Sequence, residues 1–261
     1  MNRIAVTSSA THYRIRRAEA WLENRASTEE VLIIGATLDA SNELTRRVVK
    51  KKGAAFGWHR LSLAQLAFAI AAPVLAARNL TPLSRIGADA LAARLVHRMN
   101  AEGRLGPHEL IARTPGYPRA VAGVIAELRL ARLAPEAVGR SAPDLAPLIS
   151  AFDVELKESG LTDWAGVLAV ASEAPSSVGD KRPRLVGLPV LLLDVPIRSE
   201  AELVFVHSLA EAATEFLATA PAGDQSTLCH LRERLRVEIE DVDRESAANE
   251  SDVFLDECQR P

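Results

Sequence analysis

The sequence predicts an α/β protein, a parallel sheet with helices between its strands, interrupted by an all-helical insertion. Three observations predict it. Short aliphatic runs recur along the chain, amphipathic segments of helical period alternate with them, and about ninety residues in the middle keep the helical period without a convincing strand.

Residues 4–7 form a β-like run, and residues 10–24 follow as a helix with Ile15, Ala18, Trp21 and Leu22 at helical spacing. The continuous run 31–36, Val-Leu-Ile-Ile-Gly-Ala, has the character of a strand covered on both faces. A helix carrying Leu44, Val48 and Val49 comes next, and Gly53 stops it. After a helix over 63–77 the chain becomes rich in Ala, Leu and Arg, with amphipathic stretches at 86–100, 119–133, 144–158 and 163–174 separated by Pro and Gly. Sheet character returns at 188–193 and ends in Asp194; a helix over 203–213 and a strand over 214–220 follow. Beyond Asp224 charges dominate, and residues 232–257 are expected to form a helix or short strand and then a poorly ordered tail. The predicted organisation is a discontinuous sheet domain (1–81 and 176–225), a helical insertion (82–175) and a charged end (226–261).

The chain has 261 residues, 48% hydrophobic, 4% aromatic and 25% charged. Its mean hydropathy is +0.04. That composition suits one large domain or two modest ones and opposes the disordered and membrane-spanning classes. The net charge of -3 provides no global basic field, so nucleic acid could be held only by a local patch. Cys229 and Cys258 make no CxxC, and the six histidines form no i,i+4 pair, so no metal site is expected. The start of the chain lacks the apolar core of a signal peptide, which makes a reducing cytoplasm the expected location, with no membrane association.

An aliphatic strand ending in an acid, Leu191-Leu192-Leu193-Asp194, suits the strand that presents a Mg²⁺-binding carboxylate in P-loop NTPases; a strand closing in a turn before Pro196 is the plainer reading. Order along the chain adds to it. The segment 31–44, which includes Thr37, resembles motif Ia of UvrD/Rep-type superfamily 1 helicases, whose loop touches single-stranded DNA. Residues 161–168 resemble the LDFDDLL segment that ends their helical 1B insertion. Asp194 then falls at the Walker B aspartate, and Ala220-Pro221-Ala222-Gly223-Asp224-Gln225-Ser226 is similar to the GDxxQS end of motif III. The implied fold is a RecA-like, P-loop-NTPase-type parallel sheet with an inserted all-α subdomain.

The departures define the implied activity. Ile4-Ala5-Val6-Thr7-Ser8-Ser9-Ala10-Thr11 occupies the Walker A place without its glycines, which let backbone wrap phosphate, or its lysine, which neutralises it. Val195 stands where an active helicase carries its catalytic Glu. A degenerate motor of this layout resembles the N-terminal region of AddB-like helicase–nucleases, as do the segments 53–67 and 114–120 with Glu127-Leu128-Arg129. The resemblance covers about residues 1–225 and implies a non-catalytic DNA-binding and scaffold portion of a DNA-repair helicase–nuclease. Such proteins are several times longer and end in a PD-(D/E)xK nuclease domain, so the chain reads as an N-terminal fragment or truncated product. The implied partners are DNA, as single strand or duplex end, and an AddA-like helicase subunit; no cofactor is expected, with ATP and Mg²⁺ entering only if the vestigial site of Asp194, Asp224 and Gln225 works. The alternatives are a residual ATP-binding helicase domain and a non-functional truncated product.

Candidate DNA contacts are Thr37 and the cluster Arg46, Arg47, Lys50, Lys51 and Lys52 at the end of the motif Ia helix. The competing reading is a solvated face stabilised by the helix dipole. Trp58 and His59 suit base stacking or, alternatively, core packing. Arg119, Glu127, Arg129 and Arg132 on one helix suit ion pairing, or DNA contact by the insertion.

Overall fold

The computed structural model describes residues 3–176 and 183–243. They divide into two compact units: within the described residues, 3–69, 175–176, 183–198 and 206–243 form the first, and 70–174 with 199–205 the second. The first boundary thus falls inside a continuous helix, where no Pro, Gly or polar linker marks it in the sequence.

The first unit is built on six parallel strands, β1 (Arg3–Ser8), β2 (Val31–Gly35), β3 (Trp58–Ser62), β6 (Val190–Leu193), β7 (Phe216–Pro221) and β8 (Glu238–Asp241), in the order β3-β2-β6-β7-β1-β8. All five neighbouring pairs are parallel. The strands β2 and β6 are buried along their whole length, as continuous aliphatic runs covered on both faces should be. Helices α1 (Thr11–Glu23) and α2 (Leu38–Lys52) bury Ala18, Leu22, Leu44 and Val48 in one core with Ile33, Leu191 and Leu217. Gly35 is required where β2 turns towards α2, because a Cβ there would lie 2.3 Å from Ser41 Oγ and 2.6 Å from the Thr37 carbonyl oxygen. Gly53 ends α2 at a φ of 89°, a conformation that costs a residue with a Cβ.

Two strands correct the sequence reading. β3 lies where no strand was predicted, and it places Trp58 at 8% exposure in the core, so its indole is not available to stack on a base. Residues 226–243 belong to the folded sheet unit rather than to a charged tail: α10 (Gln225–Cys229), a π-helical turn (His230–Arg234) and β8 bury Leu228, Leu231, Leu235 and Val237. The rest of the expected tail, 244–261, lies outside the described residues.

The second unit holds α4 (Arg85–Ala101), α5 (Gly116–Leu130), the short α6 (Pro135–Gly139), α7 (Ala146–Glu158) and α8 (Trp164–Glu173), packed around Leu95, Met99, Ile125, Leu148, Ile149 and Phe152. The segments leading into it (α3, Leu63–Ala77) and out of the sheet (α9, Glu200–Ala212) are helical as expected. It is not purely α-helical. Two-residue strands, β4 (Thr81–Pro82) and β5 (Leu161–Thr162), pair in parallel, with the Thr81 N–H donating to the Gly160 carbonyl oxygen (2.8 Å) and the Leu83 N–H to that of Thr162 (2.7 Å). Two residues are too few to show a strand period, so the sequence could not announce them.

Ion pairs fix this unit's helices. Glu155 of α7 is 4% exposed and accepts from both Arg94 and Arg98 of α4. Arg129 of α5 reaches Asp163, the N-cap of α8, through Nε (2.6 Å) and Nη2 (3.1 Å), and also meets Asp153. Burial pushes the Glu155 carboxyl up, but hydrogen bonds and charge from Arg94 and Arg98 outweigh it and hold it below the usual range. Its folded pKa is therefore the lower one, so its contribution is full above the unfolded value and disappears as pH falls through the folded one. Replacing Glu155 by Ala should cost about 1–2 kcal/mol at neutral pH, the two exposed arginines limiting the loss, and flatten the acid limb of the stability profile in urea titrations.

Candidate functional site

The carboxyl ends of adjacent parallel strands are where open α/β sheets bind ligands. Here β6, β7 and β1 lie side by side, and their register pairs Leu193 with Thr219 and Ser8 with Pro221. Three features of distant sequence origin are thereby delivered to one edge: the Ser8-Ser9-Ala10 loop before α1, Thr219, and Asp194.

Asp194 adopts a φ of 51°, a left-handed conformation that Asp tolerates better than most residues. Its N–H donates to Thr219 Oγ1 (3.0 Å), and the Thr219 hydroxyl donates back to Asp194 Oδ1 (2.8 Å). The turn therefore aims the carboxylate at α1. There it meets Arg14, which is 4% exposed. Arg14 Nε donates to Oδ1 at 3.0 Å and Nη2 to Oδ2 at 3.1 Å, a two-pronged contact that suits the planar guanidinium. Nη1 also donates to the Ser8 carbonyl oxygen (2.6 Å) and Nη2 to Thr11 Oγ1 (3.2 Å).

The loop after β1 is likewise satisfied from within. Asp243, two residues beyond β8, accepts from the Ser8 hydroxyl and from the Ser9 N–H (2.6 Å), while the Ala10 N–H donates to Ser8 Oγ (3.0 Å). An internal carboxylate thus lies against the loop ahead of α1, held by the Ser8 hydroxyl and the Ser9 N–H. The Ser8 hydroxyl, then the Ser9 N–H, hold the Asp243 carboxyl below the usual carboxylate range.

The geometry does not fit a magnesium nucleotide. The carboxylate that would face the cation already faces a buried guanidinium, and the loop donors that would face phosphate already face a carboxylate. Among the described residues no group of three or more His, Cys, Asp or Glu side chains could hold a metal ion.

The remaining sequence-predicted residues have local partners. Asp224 caps α10 by accepting from the Thr227 N–H (3.1 Å), and Gln225 Nε2 donates to the Ala222 carbonyl oxygen (2.6 Å). Thr37 caps α2, its hydroxyl accepting from the Ala40 N–H (3.2 Å). Arg46 and Arg47 both pair with Glu43, Lys51 pairs with Glu19 and Glu23 at 2.9 Å each, and Lys52 donates to the Glu23 (2.8 Å) and Arg25 carbonyl oxygens. Lys50 is exposed with no carboxylate partner among the described residues. A groove of about 490 Å³ beside these residues carries both signs of charge, with Arg16 and Arg47 against Glu19 and Glu43.

Arg14, Thr219 and Asp243 are the site residues that sequence reasoning missed. Arg14 left one trace: it shares the buried stripe of α1 with Ala18 and Leu22, at positions i, i+4 and i+8, where a charge demands a partner. No family model matches the chain, and no curated protein matches it.

Asp194→Ala should destabilise the protein by about 2–4 kcal/mol in denaturant titrations, because it strands the Arg14 charge. The Asp243 pKa is depressed on folding, so its contribution is present above the unfolded carboxyl value near 3.9 and is lost as pH falls through the folded one. In Asp243→Asn, stability between about pH 5 and pH 3 should fall less steeply than in wild type, as read from thermal melts across that window.

Proposed function

We propose that this chain is a non-catalytic scaffold and DNA-binding portion of an AddB-like DNA-repair helicase–nuclease, a RecA-like motor layout kept for its shape after its nucleotide site closed. The observation that carries the reading is the buried Arg14 guanidinium on Asp194, with Asp243 in the loop after β1: each half of a nucleotide site has an internal substitute. Support for a motor ancestry comes from the placement of that loop and Asp194 at one carboxyl edge, with one strand between β1 and β6. ATP hydrolysis, on this reading, belongs to an AddA-like partner.

DNA contact falls on the surface of α2 that carries Thr37, Arg46, Arg47 and Lys50–Lys52. Glu43, Glu19 and Glu23 offset much of that charge, so phosphates compete with internal carboxylates and binding is weak and salt-dependent.

Calorimetric titration with ATP and Mg²⁺ should register no binding, and a labelled single strand should bind at low salt and weaken about tenfold in Lys50→Glu with Lys51→Glu. ATP binding that Asp194→Ala abolishes would sink the closed-site reading. Unchanged DNA affinity in the double variant would remove the α2 surface from the interface.

A further inference from the structure

The helical unit holds a groove that neither the sheet-edge site nor the α2 surface uses. It measures about 360 Å³ and lies between α4, α5 and the start of α8. That volume falls within the range of roughly 300–1,000 Å³ in which small molecules are bound. Its lining is largely apolar, with Ala88 from α4, Ala122, Gly123 and Ala126 from α5, and Trp164 from the first turn of α8. Gly123 stands in the middle of α5, where glycine weakens a helix relative to alanine. Packing does not require it, because a Cβ there would meet no atom within 4 Å. What the glycine does provide is bare backbone on the groove, which lets a ligand approach closely. Four charged side chains line the same groove. Asp163 is paired with Arg129, and Asp89 lies 3.6 Å from Arg119, an ion pair too long for a hydrogen bond. Arg85 is exposed and faces no carboxylate among the described residues.

We infer that this groove binds a small organic carboxylate with a flat aromatic body, its ring against Gly123 and Trp164 and its carboxylate on Arg85. A concave, mostly apolar surface with a few polar groups converging on it is the form that small-ligand sites take. The ring suits this one because bare backbone admits a flat face at close range and the indole offers a second aromatic surface to pack on it. The carboxylate follows from the charges. Both aspartates on the groove already face an arginine, so a cationic ligand finds no free counter-charge, whereas an anionic one finds Arg85, whose planar guanidinium matches a carboxylate with two parallel hydrogen bonds. Arg119, 76% exposed and loosely held by Asp89, can swing to the same anion.

An NMR titration of the full chain with cinnamate at low salt tests the inference. Cinnamate should bind with a dissociation constant below about 1 mM and shift the resonances of Gly123 and Trp164. Cinnamamide, the neutral amide of the same shape, should bind at least about tenfold more weakly, and Arg85→Gln should weaken cinnamate by a similar factor while leaving the amide unchanged. Gly123→Leu, which fills the groove, should abolish binding of both compounds without lowering the melting temperature, since leucine is the better helix former and its Cβ has room. No shift at the groove up to about 1 mM cinnamate overturns the inference. So does an amide that binds as tightly as the acid, or an acid indifferent to Arg85→Gln. Cinnamate binding that survives in folded Gly123→Leu places the compound elsewhere and overturns it as well.

Discussion

A guanidinium buried at the edge of a parallel sheet must be neutralised where it sits, and the carboxyl edge of this protein is organised around that requirement. Arg14 pairs with Asp194, whose backbone takes a left-handed turn held by Thr219, and its charge also acts on Asp243. The contact joins α1 to the end of β6, and the Arg14 bond to the Ser8 carbonyl draws in the end of β1. Asp243 then closes the same loop from the β8 side. These contacts tie the ends of β1, β6 and β8 and the start of α1 to one another.

The opposite edge of the sheet repeats the device in milder form. Arg25, 9% exposed in the connection from α1 to β2, is held by both oxygens of Glu215 and by Glu29, and its guanidinium lies 4.1 Å over the ring of Trp21. Burial works against its charge, yet the two carboxylates raise its pKa overall. Arginine suits both edges because its planar fork can satisfy several acceptors at once and stay charged. The helical unit uses the same chemistry at Glu155 and Arg129, so charge that looked available for nucleic acid in the sequence is largely committed to holding helices and strands in place.

Legibility followed burial. The four central strands were visible because each is flanked by sheet on both sides and must be aliphatic, as in Val31–Gly35 and Val190–Leu193. The edge strands were harder to read, β3 passing without notice and β8 expected only as a helix or short strand within 232–257: Trp58-His59-Arg60-Leu61-Ser62 and Glu238-Ile239-Glu240-Asp241 carry polar and charged residues on a side that meets solvent, which is how proteins keep sheet edges from pairing further. Helix limits were close where a cap or a glycine marked them, as at Thr37 and Gly53, and the first boundary between the units was invisible because it falls within a helix.

By itself the sequence determined the alternation of buried strands and helices, the helical interruption, and a first strand–helix loop without glycine or lysine, because these are properties of neighbouring residues and short periods. Tertiary structure alone decided which strands adjoin and therefore which charges meet. Arg14 and Asp194 are 180 positions apart and Ser8 and Asp243 are 235 apart. No local pattern encodes such a meeting; the order β6-β7-β1-β8 produces it by bringing four strand ends to one edge. The missing lysine was legible in the sequence, whereas the pairing of Arg14 with Asp194 and of Ser8 with Asp243 became evident only once the sheet was assembled.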